Sequence, residues 1–262
     1  MKIGFLGAGN MGKAIIDGLL NTNAFTNENI KVVINSDKSF QYWNNRHISV
    51  SKQWEFLKDC EIIILALTPQ DILKLKEQLT NLFTQKIIIS VASGINMTLL
   101  KTIFKDCEVT RVMLNTSCQF NNSMTMICEE GNVIANEQAL NIFNYCGKTI
   151  SLSEKQIHLF IAICGSASGY LYHWLQPLIE IAENNNLSKD EAKTIVGGLL
   201  LGVATNILNS DLELKKLQEN VTSPDGTTMA AIKVFETNNL QNIISDAVNA
   251  CMLRSKQLED SI

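Results

Sequence analysis

Short runs of β-branched and apolar residues recur along the first part of the chain. They fall at 2–6, 31–34, 61–67, 86–92, 110–114 and, more weakly, 124–128, with polar, helix-like stretches between them. Several are unbroken apolar blocks, such as Ile62-Ile63-Ile64-Leu65-Ala66-Leu67 and Ile87-Ile88-Ile89. A strand that is apolar on both faces needs helices above and below it, which is the situation in a parallel sheet. Strand–helix alternation of this kind predicts a doubly wound α/β domain.

Beyond Gly147-Lys148 the pattern changes, and no further strand is expected up to residue 262. Ser153-x-x-Gln156 reads as a capping box opening a helix over about 154–185, and Ser188-x-x-Glu191 as one opening a second helix to about 209. Shorter helical segments follow, the last an amphipathic stretch over about 239–259. The expected division is therefore an α/β domain over 1–150 and an all-α domain over 151–262. Within the second, the run Ile195-Val196-Gly197-Gly198-Leu199-Leu200-Leu201-Gly202-Val203-Ala204 is apolar on every face. A helix hydrophobic all round must be covered all round. Gly198 and Gly202, four residues apart, would let another helix approach closely. Burial inside its own domain and burial against a second copy are equal alternatives on this pattern.

Charge and composition narrow the class of partner. The chain of 262 residues carries 22 basic and 26 acidic residues, a net charge of −4, which argues against nucleic acid and against an anionic lipid surface. A hydrophobic fraction of 46% with 18% charged residues is that of a globular chain with a sizeable core. The seven cysteines are odd in number and never spaced C-x-x-C, so they read as reduced core residues, with no disulfide frame and no metal site implied. No apolar run reaches the 18 or so residues of a membrane span, and the glycines and charges after Leu6 interrupt any leader-like segment. A cytoplasmic protein is expected.

The first candidate chemistry follows the first strand. Gly7-Ala8-Gly9-Asn10-Met11-Gly12 is a G-x-G-x-x-G placed between a strand and a helix. Its first glycine permits a tight turn, its second lets a pyrophosphate approach the backbone, and its third lets helix and strand pack closely. The positive end of that helix then receives the anion. This predicts a Rossmann-type sheet, against the bland alternative of a glycine-rich turn. An NAD site usually ends its second strand in Asp or Glu, which accepts from the ribose 2′-hydroxyl. Here that end reads Ile34-Asn35-Ser36-Asp37-Lys38. A neutral amide at Asn35, a hydroxyl at Ser36 and an ammonium at Lys38 suit a 2′-phosphate, so NADP(H) is expected over NAD(H). Asp37 must then point to solvent. With arginines only at 46, 111 and 254, a guanidinium clamp on the phosphate could come only from Arg46.

The second lies in the all-α half. Val221-Thr222-Ser223-Pro224-Asp225-Gly226-Thr227-Thr228 precedes a helical run over 229–236. Pro224 suits a first helical turn, and Gly226, Thr227 and Thr228 present N–H and hydroxyl donors to a carboxylate-sized anion. A plain helix cap is the alternative. His158, His173 and Cys164 lie in apolar stretches and read as packed residues, and Glu154 reads as a helix cap.

Taken together, these motifs resemble those of the pyrroline-5-carboxylate reductase family over nearly the whole chain. The resemblance rests on 3–12 and on Leu65-Ala66-Leu67-Thr68-Pro69-Gln70, Ser90-Val91-Ala92-Ser93-Gly94-Ile95 and Arg111-Val112-Met113-Leu114-Asn115-Thr116-Ser117. It rests further on Gly165-Ser166-Ala167-Ser168-Gly169-Tyr170, on 223–228 and on the ending Arg254-Ser255-x-x-Leu258-Glu259. Departures are Thr68 for a lysine, Leu114 and Ser117 for prolines, Ala167-Ser168-Gly169 for Gly-Pro-Ala, and Asp225 for a glycine.

The resemblance implies reduction of 1-pyrroline-5-carboxylate, a cyclic imine carboxylate, to L-proline by hydride transfer from NAD(P)H. Thr228 would be the catalytic-site hydroxyl. Ser223, Gly226, Thr227 and Thr228 would hold the substrate, with Asn115 beside it and the nicotinamide. Gly7, Ala8, Gly9, Asn10, Met11 and Gly12 would take the pyrophosphate, and Asn35, Ser36 and Lys38 the 2′-phosphate. Gln53, Leu67, Thr68, Pro69, Val91, Ala92 and Ser93 would complete the cofactor site. The helical half would pair into a homodimer that assembles further, with the active site between the nucleotide domain and helical elements. The rivals are reduction of another cyclic imine and a non-catalytic NADP-binding sensor. A hydroxyacid dehydrogenase of this build would carry a lysine on its long helix, and no Lys or Arg lies between Gln156 and Ser188.

Overall fold

Six parallel strands form the body of the sheet in this computed structural model, which describes residues 1–262: β1 (Ile3–Leu6), β2 (Ile30–Val33), β3 (Ser49–Ser51), β4 (Ile62–Leu65), β5 (Ile87–Ser90) and β6 (Glu108–Met113). β7 (Ser123–Cys128) and β8 (Gly147–Leu152) complete eight strands in the order β3-β2-β1-β4-β5-β6-β7-β8. β7 runs antiparallel to β6, and β8 parallel to β7. The first six strands thus have the 3-2-1-4-5-6 order of a dinucleotide-binding sheet, whose direction of winding reverses between β1 and β4.

The unbroken apolar blocks are explained by two cores. Ile3 and Phe5 of β1 and Ile62 and Ile64 of β4 enter one cluster, while Leu6, Ile63 and Leu65 enter the other. Helices α1 (Asn10–Leu20), α2 (Asp37–Asn45), α3 (Pro69–Lys74), α4 (Lys76–Leu82), α5 (Met97–Ile103) and α6 (Val133–Phe143) cover the two faces. Their start signals are local: the side chains of Ser36, Thr68 and Asn96 accept backbone N–H bonds at the starts of α2, α3 and α5.

Three expectations are corrected. First, β3 and β8 exist, although neither was anticipated, and β8 crosses the expected boundary at residue 150. Ser49-Val50-Ser51 has one apolar residue, and β8 is largely exposed, so neither shows a buried pattern. Second, the Ser153 capping box does not form: its hydroxyl donates to Glu130 Oε1 at 2.7 Å. Third, the expected helix over 154–185 is broken. A 3₁₀ turn at Glu154–Gln156 leads into α7 (Ile157–Phe160), a π-helical turn at Ile161–Gly165 and then α8 (Ala167–Asn184). The Ser166 N–H reaches back to the Ile161 carbonyl at 2.7 Å, which widens the turn.

The chain groups into two compact units, Met1–Ser166 with Ala250–Ile262, and Ala167–Asn249, rather than dividing at 150/151. The C-terminal turns belong to the first unit because Glu259 pairs with Arg111, His158 Nδ1 lies 2.9 Å from Ser255 Oγ, and Ile262 packs against Gly94.

The second unit contains α8, α9 (Lys189–Asn209), α10 (Leu214–Asn220), α11 (Thr227–Thr237) and the start of α12 (Leu240–Asp260). The Ser188 capping box forms as expected, with reciprocal bonds between Ser188 and Glu191. Of α9 only Ala192 is buried, while Ile195, Leu199, Leu201, Val203 and Leu208 are exposed. Its own chain does not cover it. By length and composition α9 could cross a membrane. The sequence shows no unbroken apolar run of that length because Lys193, Thr194, Thr205 and Asn206 interrupt it.

Candidate functional site

The glycine turn leaves β1 at the point where the sheet changes direction, so the ends of β1, β2 and β4 border a crevice. Gly7 has φ +90°, and a Cβ there would stand 2.7 Å from the Ala66 carbonyl oxygen, so only glycine fits. A Cβ on Gly12 would lie 3.0 Å from the Gly7 oxygen, the close helix–strand contact expected of the third glycine. Gly9 differs from both: a Cβ there meets nothing within 4 Å. Its lack of a side chain therefore leaves open space, not room for the protein itself. Gly9 is also the N-cap of α1 and offers no side-chain cap, so N–H groups of the first turn are available to an anion. These features fit a bound pyrophosphate.

The crevice brings together Gly7, Ala8, Gly9, Asn35, Ser36 and Leu67 of the expected residues. Sequence reasoning missed Ser39, Trp54, Asp71 and Leu75, which also line it. Ser39 was recoverable, because it lies three residues after the N-cap Ser36, whose hydroxyl accepts its N–H. Trp54 follows the unanticipated β3. Asn10, Met11 and Gly12 form the first turn of α1 and do not line the crevice.

Other expected residues are placed differently. Lys38 is exposed on α2. Asp37 is exposed, as an NADP site requires, and pairs with Lys52. Gln53 lies in a separate groove with Lys52 and Glu55. Thr68 is committed to α3: its hydroxyl accepts the Asp71 N–H at 3.2 Å and donates to Asp71 Oδ2 at 2.7 Å. Pro69 is the first residue of that helix. Val91 and Ala92 are buried, which leaves Ser93 as the exposed member of its segment. Arg46 is engaged by its own chain. Its guanidinium pairs with Asp17 and accompanies Tyr42, whose hydroxyl lies 2.7 Å away.

Asn115 follows β6 and is fixed at both ends of its amide. Its Oδ1 accepts the Ser117 N–H at 3.2 Å, and its Nδ2 donates to Cys164 Sγ at 3.6 Å, in the π-helical turn. Four residues earlier, inside β6, Arg111 is fully buried between Glu154 and Glu259, each at 2.7 Å, and its Nε has no hydrogen-bond partner. Glu154 caps a helix other than the one it precedes, accepting the Met97 N–H at the start of α5. Four of the seven cysteines, Cys60, Cys118, Cys128 and Cys146, are buried core residues, while Cys107, Cys164 and Cys251 are half-buried. Burial pushes the thiols of Cys128 and Cys146 up to about 12, and that of Cys60 to about 11. At neutral pH these three buried thiols stay protonated and are poor nucleophiles.

In the second unit, Ser223-Pro224-Asp225-Gly226 forms a turn closed by the Gly226 N–H on the Ser223 carbonyl at 3.1 Å. Pro224 therefore lies in the turn before α11, not in its first turn as expected. Asp225 takes φ +59° and is exposed, so the residue that replaces the family's glycine keeps the turn. A Cβ on Gly226 would stand 2.3 Å from Ser223 Oγ. Gly226 is the N-cap of α11 and provides no side-chain cap, so Thr227 and Thr228 begin the helix with donors uncommitted to a local cap.

Comparison with known proteins agrees with this geometry. The family described as pyrroline-5-carboxylate reductase dimerisation matches residues 154–258, and NADP oxidoreductase coenzyme F420-dependent matches residues 2–94. Pyrroline-5-carboxylate reductase of Pasteurella multocida is 30% identical over 98% of this chain and 98% of its own length. That of Staphylococcus haemolyticus is 27% identical with the same coverage. The crystal structure of Plasmodium falciparum pyrroline carboxylate reductase with NADP bound superposes with a TM-score of 0.89 at 27% identity, covering 99% of this chain and 98% of that one. From the glycine turn to the last turns of α12, this chain belongs to the pyrroline-5-carboxylate reductase family.

Proposed function

We propose that this chain reduces 1-pyrroline-5-carboxylate to L-proline with NADPH, the last step of proline biosynthesis. The carrying observation is the joint presence of the open Gly9 turn at the sheet's switch point and the uncapped start of α11 at 223–228. NADPH, when bound, supplies the hydride to the imine carbon, while a proton ends on the ring nitrogen. The chain's own task is orientation. The backbone of Gly7, Ala8 and Gly9 receives the pyrophosphate, and Asn35 and Ser36 face the adenosine ribose. The N–H groups of Gly226, Thr227 and Thr228 hold the substrate carboxylate, with the Thr228 hydroxyl directed to the ring. Asn115, its amide fixed by Ser117 and Cys164, flanks the nicotinamide. A protonated imine is already electrophilic, so no strong general acid is needed. NADPH oxidation followed with pyrroline-5-carboxylate should far exceed that with other cyclic imines or 2-oxo acids. A larger rate with another imine would replace the substrate and keep the chemistry.

Cofactor preference is read from Asn35 at the end of β2. Asn35→Asp is expected to weaken NADPH and strengthen NADH, each by roughly ten-fold, since a carboxylate repels a 2′-phosphate and accepts from a 2′-hydroxyl. A wild-type kcat/KM that is higher with NADH would contradict this reading.

Assembly follows from α9. Its exposed, all-round apolar surface supports an obligate homodimer through the helical unit, which we extend to an assembly of dimers. The cytoplasm is the compartment we assign. In this chain a Cβ on Gly198 meets nothing within 4 Å, so Gly198→Leu should leave the fold intact while blocking close helix approach. Light scattering should then show the 29.1 kDa monomer with activity lost, and an active dimer bearing the leucine would place the interface elsewhere.

A further inference from the structure

Beside the crevice at the end of β2 stands a cation that the sequence did not single out, Lys52, which lines the neighbouring groove and shares Trp54 with the crevice. β2 and β3 run parallel with Val33 beside Ser51, and the Ile34 N–H donates to the Ser51 carbonyl at 3.1 Å. The chain leaving β3 at Lys52 therefore runs beside the chain leaving β2 at Asn35. Lys52 Nζ reaches across to the carboxylate of Asp37, the first residue of α2. Asn35, Ser36 and Ser39 line the crevice directly before and after that carboxylate, and Trp54 lines it two residues beyond Lys52.

This placement answers a difficulty in the sequence. An acid at position 37 would repel a phosphate on the adenosine ribose, and Arg46, the only arginine within reach in sequence, is held by Asp17. Lys52 cancels the charge of Asp37, and the pair is exposed, with side-chain accessibilities of 49% and 85%. Exposed pairs of this kind are weak and re-form readily. A phosphate monoester carries up to two charges and three acceptor oxygens, so it is the stronger partner for the same ammonium.

We propose that Lys52 is the specificity-determining cation for the 2′-phosphate of NADP(H), with Asp37 as its partner in the unliganded protein. The inference rests on the NADP reading above and replaces Lys38 in that role. Binding of 2′,5′-ADP and of 5′-AMP, which differ only in the 2′-phosphate, measures it by calorimetry without turnover. Wild type should prefer 2′,5′-ADP. Lys52→Gln should weaken 2′,5′-ADP by ten-fold or more and leave 5′-AMP unchanged, whereas Lys38→Gln should change neither by more than about two-fold. Asp37→Asn should tighten 2′,5′-ADP a few-fold by releasing the lysine. The loss on Lys52→Gln should persist in the Asp37→Asn background. If it vanishes there, Lys52 only neutralises Asp37, and direct contact is overturned. A wild type that discriminates between the ligands while Lys52→Gln changes nothing overturns the proposal alone. A wild type that binds both equally overturns the NADP reading itself.

Discussion

Arg111→Met is expected to destabilise the protein by about 3–5 kcal/mol, the range for removing one partner of a buried charge cluster. The Arg111 side chain has no accessible surface, and Glu154 and Glu259 retain only 21% and 17% of theirs. Methionine fills much of the volume but leaves two carboxylates facing each other with little water to solvate them. Three segments lose their tie at once: β6, the start of α5 that Glu154 caps, and the last turns of α12 that Glu259 holds. Thermal and denaturant unfolding measure the loss. Adding Glu154→Gln and Glu259→Gln to Arg111→Met should recover much of it, because the cost lies in the unpaired charges. A loss below about 1 kcal/mol from Arg111→Met would mean that the carboxylates turn out to water, as in an exposed pair.

The other large effect is on turnover. Thr228→Ala is expected to lower kcat/KM for the imine acid about ten- to a hundred-fold, the value of one hydrogen bond to a charged group at roughly 1.5–3 kcal/mol. Thr228 is the second residue of α11, following an N-cap that supplies no side chain of its own. Alanine is a good helix former, so α11 persists and the defect is chemical. NADPH affinity should be unchanged, since the crevice is built from β1, β2, β4 and the residues after them. An unchanged kcat/KM would remove Thr228 from the substrate site.

Legibility followed how local each determinant is. The Rossmann order could be expected because the strands β1, β4 and β5 are buried on both faces and the glycine turn is a contiguous six-residue motif. Ser188 and Glu191 announced α9 to the residue, since a capping box is closed by atoms three residues apart. Ser153 carried the same signal and misled, because Glu130, 23 residues earlier in sequence, takes its hydroxyl. The end of the crevice beside β2 was half legible. Asn35 and Ser36 were found from the end of a strand, whereas Lys52 and Trp54 depended on β3, a strand of three residues with no pattern of its own. Arg111 was visible only as part of a motif. An arginine inside an apolar strand does demand carboxylates, but nothing in sequence pairs it with residues 43 and 148 positions away.

The sequence by itself determined the class of fold, the glycine turn after β1, the turn before α11 and the apolar helix that needs covering. Each depends on residues within one or two turns of one another, where backbone sterics and hydrogen-bond geometry act regardless of context. The tertiary structure decided which charges meet. It set Arg46 on Asp17, Lys52 on Asp37 and Arg111 between two glutamates, and it left α9 bare within its own chain. Coulombic and apolar contacts act through space with no preferred spacing along the chain, so only the folded arrangement of strands and helices assigns their partners.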